Sequence, residues 1–376
     1  MMREFFMSLR QRLAIIGSQF KKNADQPVEL SSSRQLSSEQ QKSLPQKSLP
    51  QTTVTYAVWI LGALAAVLLV VSLADGGDGR EKFLQLLVGG IALGSIYALL
   101  SFGFVIVYKA TGVFNLAQGG FVLLGTYLAY QFYVDWGWIF GLALAATVIV
   151  MATVGAGIER AVMRKMLTKP TFTAIMVTLA ILIVLEQITR SIWNSPGLVL
   201  AAPWGTGRIQ PGGVTIRYLD FWTVGFTFVL LGAFFLFFRY SRLGLGMRAT
   251  AFDREVASAQ GVRVGLSFAL SWAIAAAVAT VAGVLLTSRS GGALTPAVGY
   301  VALRAFPAMI LGGLDSTGGA VAGGVIIGVA EVMVQGYVDV DWLGESFETV
   351  VPYLVMLPIL LWRPHGLFGT KAVERV

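Results

Sequence analysis

The sequence predicts an all-α integral membrane protein of about ten crossings, and three observations carry that prediction. Of 376 residues, 56% are hydrophobic and 13% charged, with a mean hydropathy of +0.72; a water-soluble domain of this size needs charge over most of its surface. Apolar runs of about 18 or more residues recur along the chain, the length that crosses roughly 30 Å of hydrocarbon as helix. The 43 glycines fit the same picture, because small residues let membrane helices approach closely.

Residues 1–53 read as a cytosolic tail. Phe6, Leu9, Leu13, Ile16 and Phe20 follow helical spacing beside Arg10, Arg12, Lys21 and Lys22. That pattern describes a basic amphipathic helix over 3–22, either lying on an anionic membrane surface or fraying in solvent. From Ala24 to Gln51 the chain is rich in Ser, Gln, Lys and Pro, and Gln-Lys-Ser-Leu-Pro occurs twice in tandem from Gln41 to Pro50. Such a segment buries too little apolar surface to order itself. No uninterrupted apolar region follows the early basic residues, so a cleaved signal peptide is not expected.

The membrane domain occupies residues 54–370, with crossings near 54–74, 83–108, 113–134, 137–158, 171–192, 219–238, 264–287, 300–314, 317–338 and 348–362. The eighth is short, Gly-rich and interrupted by Pro307, which marks it as broken or re-entrant. With the N-terminus inside, 21 of the 28 basic residues fall in cytoplasmic segments, which predicts both termini in the cytoplasm and an even number of crossings. The net charge of +8 is therefore a topology signal, and nucleic acid is not an expected partner. Trp193 to Leu219, outside, holds three prolines and five glycines and reads as turns with a small hairpin. Arg239 to Arg263, inside, is rich in helix formers from Met247, with Gly261 as its stop. A short helix there packs either on its own bundle or on a cytosolic partner.

Several functions are excluded by residue type. No G-x-x-x-x-G-K-[ST] run exists to cradle nucleotide phosphates, so no ATP site is expected in this chain. There is no cysteine and one histidine, His365, past the last crossing, so neither a metal site nor a histidine-based triad is expected. No cofactor is predicted, and the protein is not expected to be an enzyme by itself.

The inner loop, Arg242 to Gly261, resembles the cytoplasmic loop of LivH-type permeases, the branched-chain amino acid branch of the ABC importers. Three further stretches agree: Asn-Leu-Ala-Gln-Gly-Gly-Phe-Val-Leu-Leu-Gly-Thr-Tyr from Asn115, the run from Arg304 to Gly324 closed by Gly328 and Glu331, and Trp-Arg-Pro-His-Gly-Leu-Phe-Gly near the C-terminus. They span residues 84 to 370 in the family's order. The resemblance implies an inner-membrane permease of about ten helices with an inverted internal repeat. It implies as partners a second permease chain (related or identical), two ATP-hydrolysing subunits, an external solute-binding protein and membrane lipid. The chain departs from the family at Gln118 and Gly120, where many relatives carry His and Glu, at Arg304, where Lys is usual, and at Glu186, near a common Gln. These positions fall where the path is expected, so substrate identity does not carry over with the fold.

Polar groups at membrane depth are the local pointers to a path, because burying one in hydrocarbon is costly unless it faces protein or water. Glu186, Gln187, Arg304 and Glu331 lie within or beside predicted crossings, and Asn115 and Gln118 share a helix face at i and i+3. Each of them either lines the path or ties helices together. On a helix starting near Met247, Phe252, Val256 and Ala259 form one apolar face, with Arg248, Asp253, Arg254 and Glu255 around it as polar contacts for an ATPase. Lys109, Arg160 and Lys165 read as anchors at the inner surface. The leading expectation is the permease of an ATP-driven importer for a branched-chain or other hydrophobic amino acid. The same machine for urea, short amides or sugars is an alternative, as is an ion-coupled transporter or channel using Glu186 and Glu331.

Overall fold

The computed structural model describes residues 77–194, 197–200, 203–205, 207–337 and 347–369, all within the compact unit Ala57–Val376. The predicted tail, its helix over 3–22 and the crossing near 54–74 lie outside these residues. The described chain is almost entirely helical. In order come α1 (Gly77–Thr111), α2 (Gln118–Tyr130, continued by a π-turn to Asp135), α3 (Phe140–Ile158) and α4 (Thr171–Ile192). A two-stranded hairpin, β1 (Arg208–Ile209) and β2 (Ile216–Arg217), pairs Arg208 with Arg217 and Ile209 with Ile216. Then follow α5 (Tyr218–Tyr240), α6 (Arg242–Phe252), α7 (Arg254–Ala259), α8 (Val264–Arg289), α9 (Ala297–Val301), α10 (Ala305–Gly312), α11 (Thr317–Tyr337) and α12 (Val351–Trp362).

Among the described residues six helices are long and apolar enough to cross a membrane: α1, α3 with its extension to Met166, α4, α5, α8 and α11. Two shorter apolar stretches, Ala297–Gly312 and Glu348–Trp362, accompany them. Thirteen residues of α2 rise only about 20 Å, so this segment needs its π-turn to approach the span expected at 113–134. The segment expected to be broken or re-entrant is a short apolar helix over Ala297–Gly312, and its break is a 3₁₀ turn at Ala302–Arg304. Pro307 sits in the first turn of α10, where its missing N–H costs no helical bond.

The helices sort into centre and rim. The most apolar window of α1 is 94% buried and that of α8 72%, whereas those of α3, α4 and α5 are 22%, 28% and 17% buried. Their outward residues, such as Ile149, Ile183 and Phe228, are exposed apolar groups suited to lipid or another chain. The central contact is α1 against α11. A Cβ on Gly90 or Gly94 would meet the backbone of Val329 or Val325, and one on Gly324 or Gly328 would collide with the backbone of Ala98 or Gly94. The two backbones touch because no side chain intervenes.

The end of the bundle that carries the hairpin is lined with aromatics. Trp136, Trp138, Trp193, Trp204 and Trp222 cluster there, Phe132 stacking on Trp138 and Trp204 meeting Phe140 and Phe226. Rings of this kind settle at a membrane–water boundary. Beyond α12 the chain turns back, and the amides of Leu367 and Phe368 donate to the carbonyls of Leu311 and Gly312 at 2.8 and 3.1 Å. The C-terminal motif thus caps α10, whose last carbonyls would otherwise lack partners.

Gly328→Leu is expected to force α1 and α11 apart, at a cost of about 1–3 kcal/mol or more, and to lower both folded yield and the thermal midpoint in detergent. Gly225→Ala, on α5 with open space around it, is expected to leave both unchanged.

Candidate functional site

Two regions bear on function: paired charges inside the bundle, and the α6–α7 segment at one end. Among the described residues, Glu331, Glu186, Asp220 and Glu159 are carboxylates each engaged by a cation. Glu331 on α11 accepts from Tyr97 of α1 at 2.8 Å and lies 3.5 Å from Arg304 in the 3₁₀ break. Glu186 on α4 accepts from Arg190 one turn on at 2.7 Å and from Tyr300 of α9 at 2.8 Å. Asp220, in the first turn of α5, is held by Arg217 at 2.9 Å and by Arg289 of α8 at 2.7 Å, and Arg289 also donates to the carbonyl of Gly89 on α1. Glu159, in a π-turn after α3, binds Arg164 through two hydrogen bonds, and Arg164 reaches the carbonyl of Gly265 at 2.7 Å. Where water is scarce a carboxylate without such partners would be very costly.

The predicted polar residues do not form one cluster. Arg304 and Glu331 come together. Asn115 and Gln118 come together as well, but fully buried: Asn115 donates to Gln118 at 3.2 Å, and Gln118 donates to the carbonyl of Ala275 in α8. Thr178 of α4 closes the same turn, donating to the carbonyl of Phe114 and accepting from the amide of Leu116. That motif is a junction of α1, α2, α4 and α8. Glu186 stands apart from these, at the rim, with its partners Arg190 and Tyr300 about half exposed and Gln187 exposed beside it.

The partners Tyr97, Tyr300, Asp220 and Arg289 escaped the sequence reading. Tyrosines within apolar runs carry no periodic signal that separates them from core aromatics. Asp220 and Arg289 lie at helix ends, where charge is ordinary. Lys109, read as a surface anchor, is half-buried and lines a cavity beside α6, whereas Arg160 and Lys165 are exposed, as anchors are.

The α6–α7 segment corrects the expected helix. No single helix runs from Met247 to Gly261. Instead Ser241 caps α6, accepting from the amide of Gly244 at 2.8 Å, and α6 ends at Phe252. Asp253 is extended (φ −155°, ψ 116°), and its side chain accepts from the amides of Glu255 and Val256, both at 3.0 Å, to start α7. Aspartate competes for backbone amides in this way, which is why it breaks a helix and then caps the next. Gly261, at φ +83°, follows the end of α7 as expected. Phe252 and Val256 therefore belong to different helices, yet both are exposed, Phe252 by 87%. The bundle-facing side is Met247, Thr250 and Ala257, with Thr250 hydrogen-bonded to Ser267 of α8 at 3.2 Å. Arg248, Arg254 and Glu255 are exposed around Phe252, and Arg254 stacks its guanidinium over Phe268.

A bundle of long apolar helices with internally paired charges and a polar, structured loop at one end is that of a polytopic membrane protein. Comparison with known proteins narrows the class. The chain belongs to the family described as branched-chain amino acid transport system / permease component, whose model matches residues 86–360. It is 31% identical over 309 residues to the high-affinity branched-chain amino acid transport system permease protein LivH of Escherichia coli K12, covering 78% of this chain and 98% of that protein. It is 32% identical over 308 residues to the corresponding BraD of Pseudomonas aeruginosa, with the same coverage. A probable LivH of Methanocaldococcus jannaschii is 28% identical over 322 residues, covering 80% and 96%. No solved structure matches the chain.

Asp220→Leu should strand Arg289, whose side chain is only 18% exposed, and cost about 3–5 kcal/mol. Adding Arg289→Met should recover most of that loss. Glu186→Leu, whose partner Arg190 is half exposed, should cost far less. Thermal unfolding of the four proteins in one detergent checks the ranking.

Proposed function

We propose that this chain is the permease subunit of an ATP-driven importer, moving a branched-chain or other hydrophobic amino acid across the bacterial inner membrane. The observation that carries the reading is the α6–α7 segment. It is a pair of capped helices, packed on the bundle through Met247, Thr250 and Ala257, that turns a large aromatic, Phe252, away from its own core. An exposed phenylalanine ringed by charge is the anatomy of an interface anchor and its rim. The relatives' names supply the cargo class and the transport role.

On this reading two ATPase subunits dock under α6–α7, a second permease chain completes the path, and an external binding protein delivers the ligand. Both termini and α6–α7 lie in the cytosol, with ten crossings in an inverted repeat, in keeping with the placement of basic residues. The Glu186–Arg190–Tyr300 cluster at the exposed rim of α4 and α9 faces the path between the two permeases. Glu331 and Arg304 hold α11 to the broken segment. The ion-coupled alternative asks for carboxylates able to exchange cations, and each of these two glutamates already sits between an arginine and a tyrosine.

Reconstitution with ATPases and a binding protein tests the reading. Phe252→Ala should weaken ATPase retention by roughly tenfold or more, the weight of a central anchor of about 2 kcal/mol, and uncouple hydrolysis from uptake. Its thermal midpoint should not move, because the ring is not in the core. Unaltered ATPase retention and stimulated hydrolysis would remove the coupling role. A cysteine at Ser258, labelled by an impermeant reagent in intact cells, would overturn the orientation. Glu186→Gln should alter uptake less than Glu186→Leu, and equal uptake by both and by wild type would take Glu186 off the path.

A further inference from the structure

We propose that the cavity between α1, α5 and α6 is a second site for a hydrophobic α-amino acid, filled from the side where ATP is hydrolysed, and that filling it inhibits transport. The inference rests on the reading of α6–α7 as the ATPase-facing segment. The cavity encloses about 500 Å³, within the usual range for small-ligand pockets. Its walls are of two kinds. Phe235 and Phe238 of α5 and Met247 of α6 make an apolar side. Lys109 at the end of α1, Arg248 of α6 and Asp315 in the turn before α11 supply charge of both signs at the same cavity, and Lys109 and Asp315 lie within electrostatic reach of each other.

That combination selects a ligand class. A carboxylate is drawn to Lys109 and Arg248, an ammonium to Asp315, and an aliphatic side chain to the phenylalanines and Met247. A carboxylate accepts from several donors at once, so Asp315 can take an ammonium while keeping the contacts it has. An anionic lipid phosphate would satisfy the two cations but meet Asp315 as a like charge, which disfavours it. Zwitterion plus aliphatic chain is the chemistry of the cargo itself, arriving on the product side.

The consequence follows from where the walls are. Lys109 belongs to the buried central helix, whereas Arg248 and Met247 belong to the helix that carries Phe252. An occupant touching both fixes α6 against the bundle, so it binds one arrangement of the two better than any other and biases the equilibrium toward it. Accumulated product would then slow its own import.

The test uses the complete assembly in nanodiscs, where both faces see the same solution. With binding protein present, L-leucine is raised well beyond the concentration that saturates stimulated ATP hydrolysis. Hydrolysis is expected to rise, level off and then fall. Lys109→Gln and Asp315→Asn are expected to keep the rise and to shift the fall to about tenfold higher leucine, the weight of one charge-assisted hydrogen bond. On wild-type protein, leucine amide and 4-methylpentanoate, each lacking one charge, should inhibit about tenfold more weakly; this arm does not depend on how the variants fold. Lys109→Gln should also narrow the discrimination between leucine and its amide, leaving only the part that Arg248 supplies, which a merely structural lysine would not do. A level plateau in wild type with intact uptake would overturn the inhibitory site and leave the importer reading standing. So would a tightly retained phospholipid that Lys109→Gln releases while leucine has no effect. Absence of leucine, isoleucine and valine uptake in any preparation would overturn the importer reading, and this inference with it.

Discussion

Nearly everything in this bundle is positioned by the surface of α1. Along one stretch of that helix the carbonyl of Gly89 receives Arg289, Gly90 and Gly94 admit the backbone of α11, Tyr97 donates to Glu331, and Ser101 donates to the carbonyl of Ala305 in α10. Two residues further, Gly103 leaves room for the side chain of Gln118, the residue that joins α2 to α8. Without a hydrophobic drive between helices in lipid, close backbone approach and interhelical hydrogen bonds are what remain to hold them. The glycines supply the first, and their absence of side chain brings Tyr97 and Glu331 close enough for the second. Enlarging one of them would therefore loosen packing and unpair a buried carboxylate together.

The charges obey the same economy of space. Glu331, Asp220 and Glu159 each connect two segments far apart in sequence, through Tyr97, Arg289, or the reach of Arg164 to Gly265. They are ties, and their partners leave them little freedom. Glu186 is different in placement rather than in pairing. Its arginine is on its own helix, its tyrosine stands half exposed on α9, and exposed Ile183 and Val184 lie beside it. A fully engaged ion pair on an otherwise apolar outer surface is a poor fit to lipid, whereas against another protein surface it meets no such penalty.

Much of this was legible in the sequence. Hydropathy located the six long helices, and Gly261 and the small hairpin stood where turn residues placed them. Of the two readings open for Asn115 and Gln118, their burial and the bond to Ala275 give them a place in a four-helix junction; sequence spacing alone cannot tell a buried amide pair from one that lines a path. The 3₁₀ break precedes Pro307 instead of lying at it, because proline in a first helical turn is compatible with the helix it begins. The kink at Asp253 was legible in principle, since an aspartate followed by Arg-Glu-Val is a cap signal. It lost to the apolar spacing of Phe252, Val256 and Ala259, which two helices satisfy by exposure instead of by periodicity. Long-range pairs such as Asp220 with Arg289 depend on tertiary closure and leave no local trace.

The break at Asp253 has a mechanical side. A straight helix from Met247 to Gly261 would present one stripe and pivot as a rod. Two helices meeting at an extended residue instead present a corner, with Phe252 at its tip. Behind the tip, α6 follows α5 through a single capped residue, Ser241, and is bonded to α8 through Thr250 and Ser267, while Gly244 packs against the backbone of Phe237 and Phe238. A load taken up at Phe252 is thus shared between α5, at the rim, and α8, which is mostly buried and bonded through Arg289 to α1 at its far end. The path from the exposed ring to the central helix runs through packed and hydrogen-bonded contacts, with no structureless linker along it. Through that continuity a displacement at the exposed ring would reach helices within the bundle.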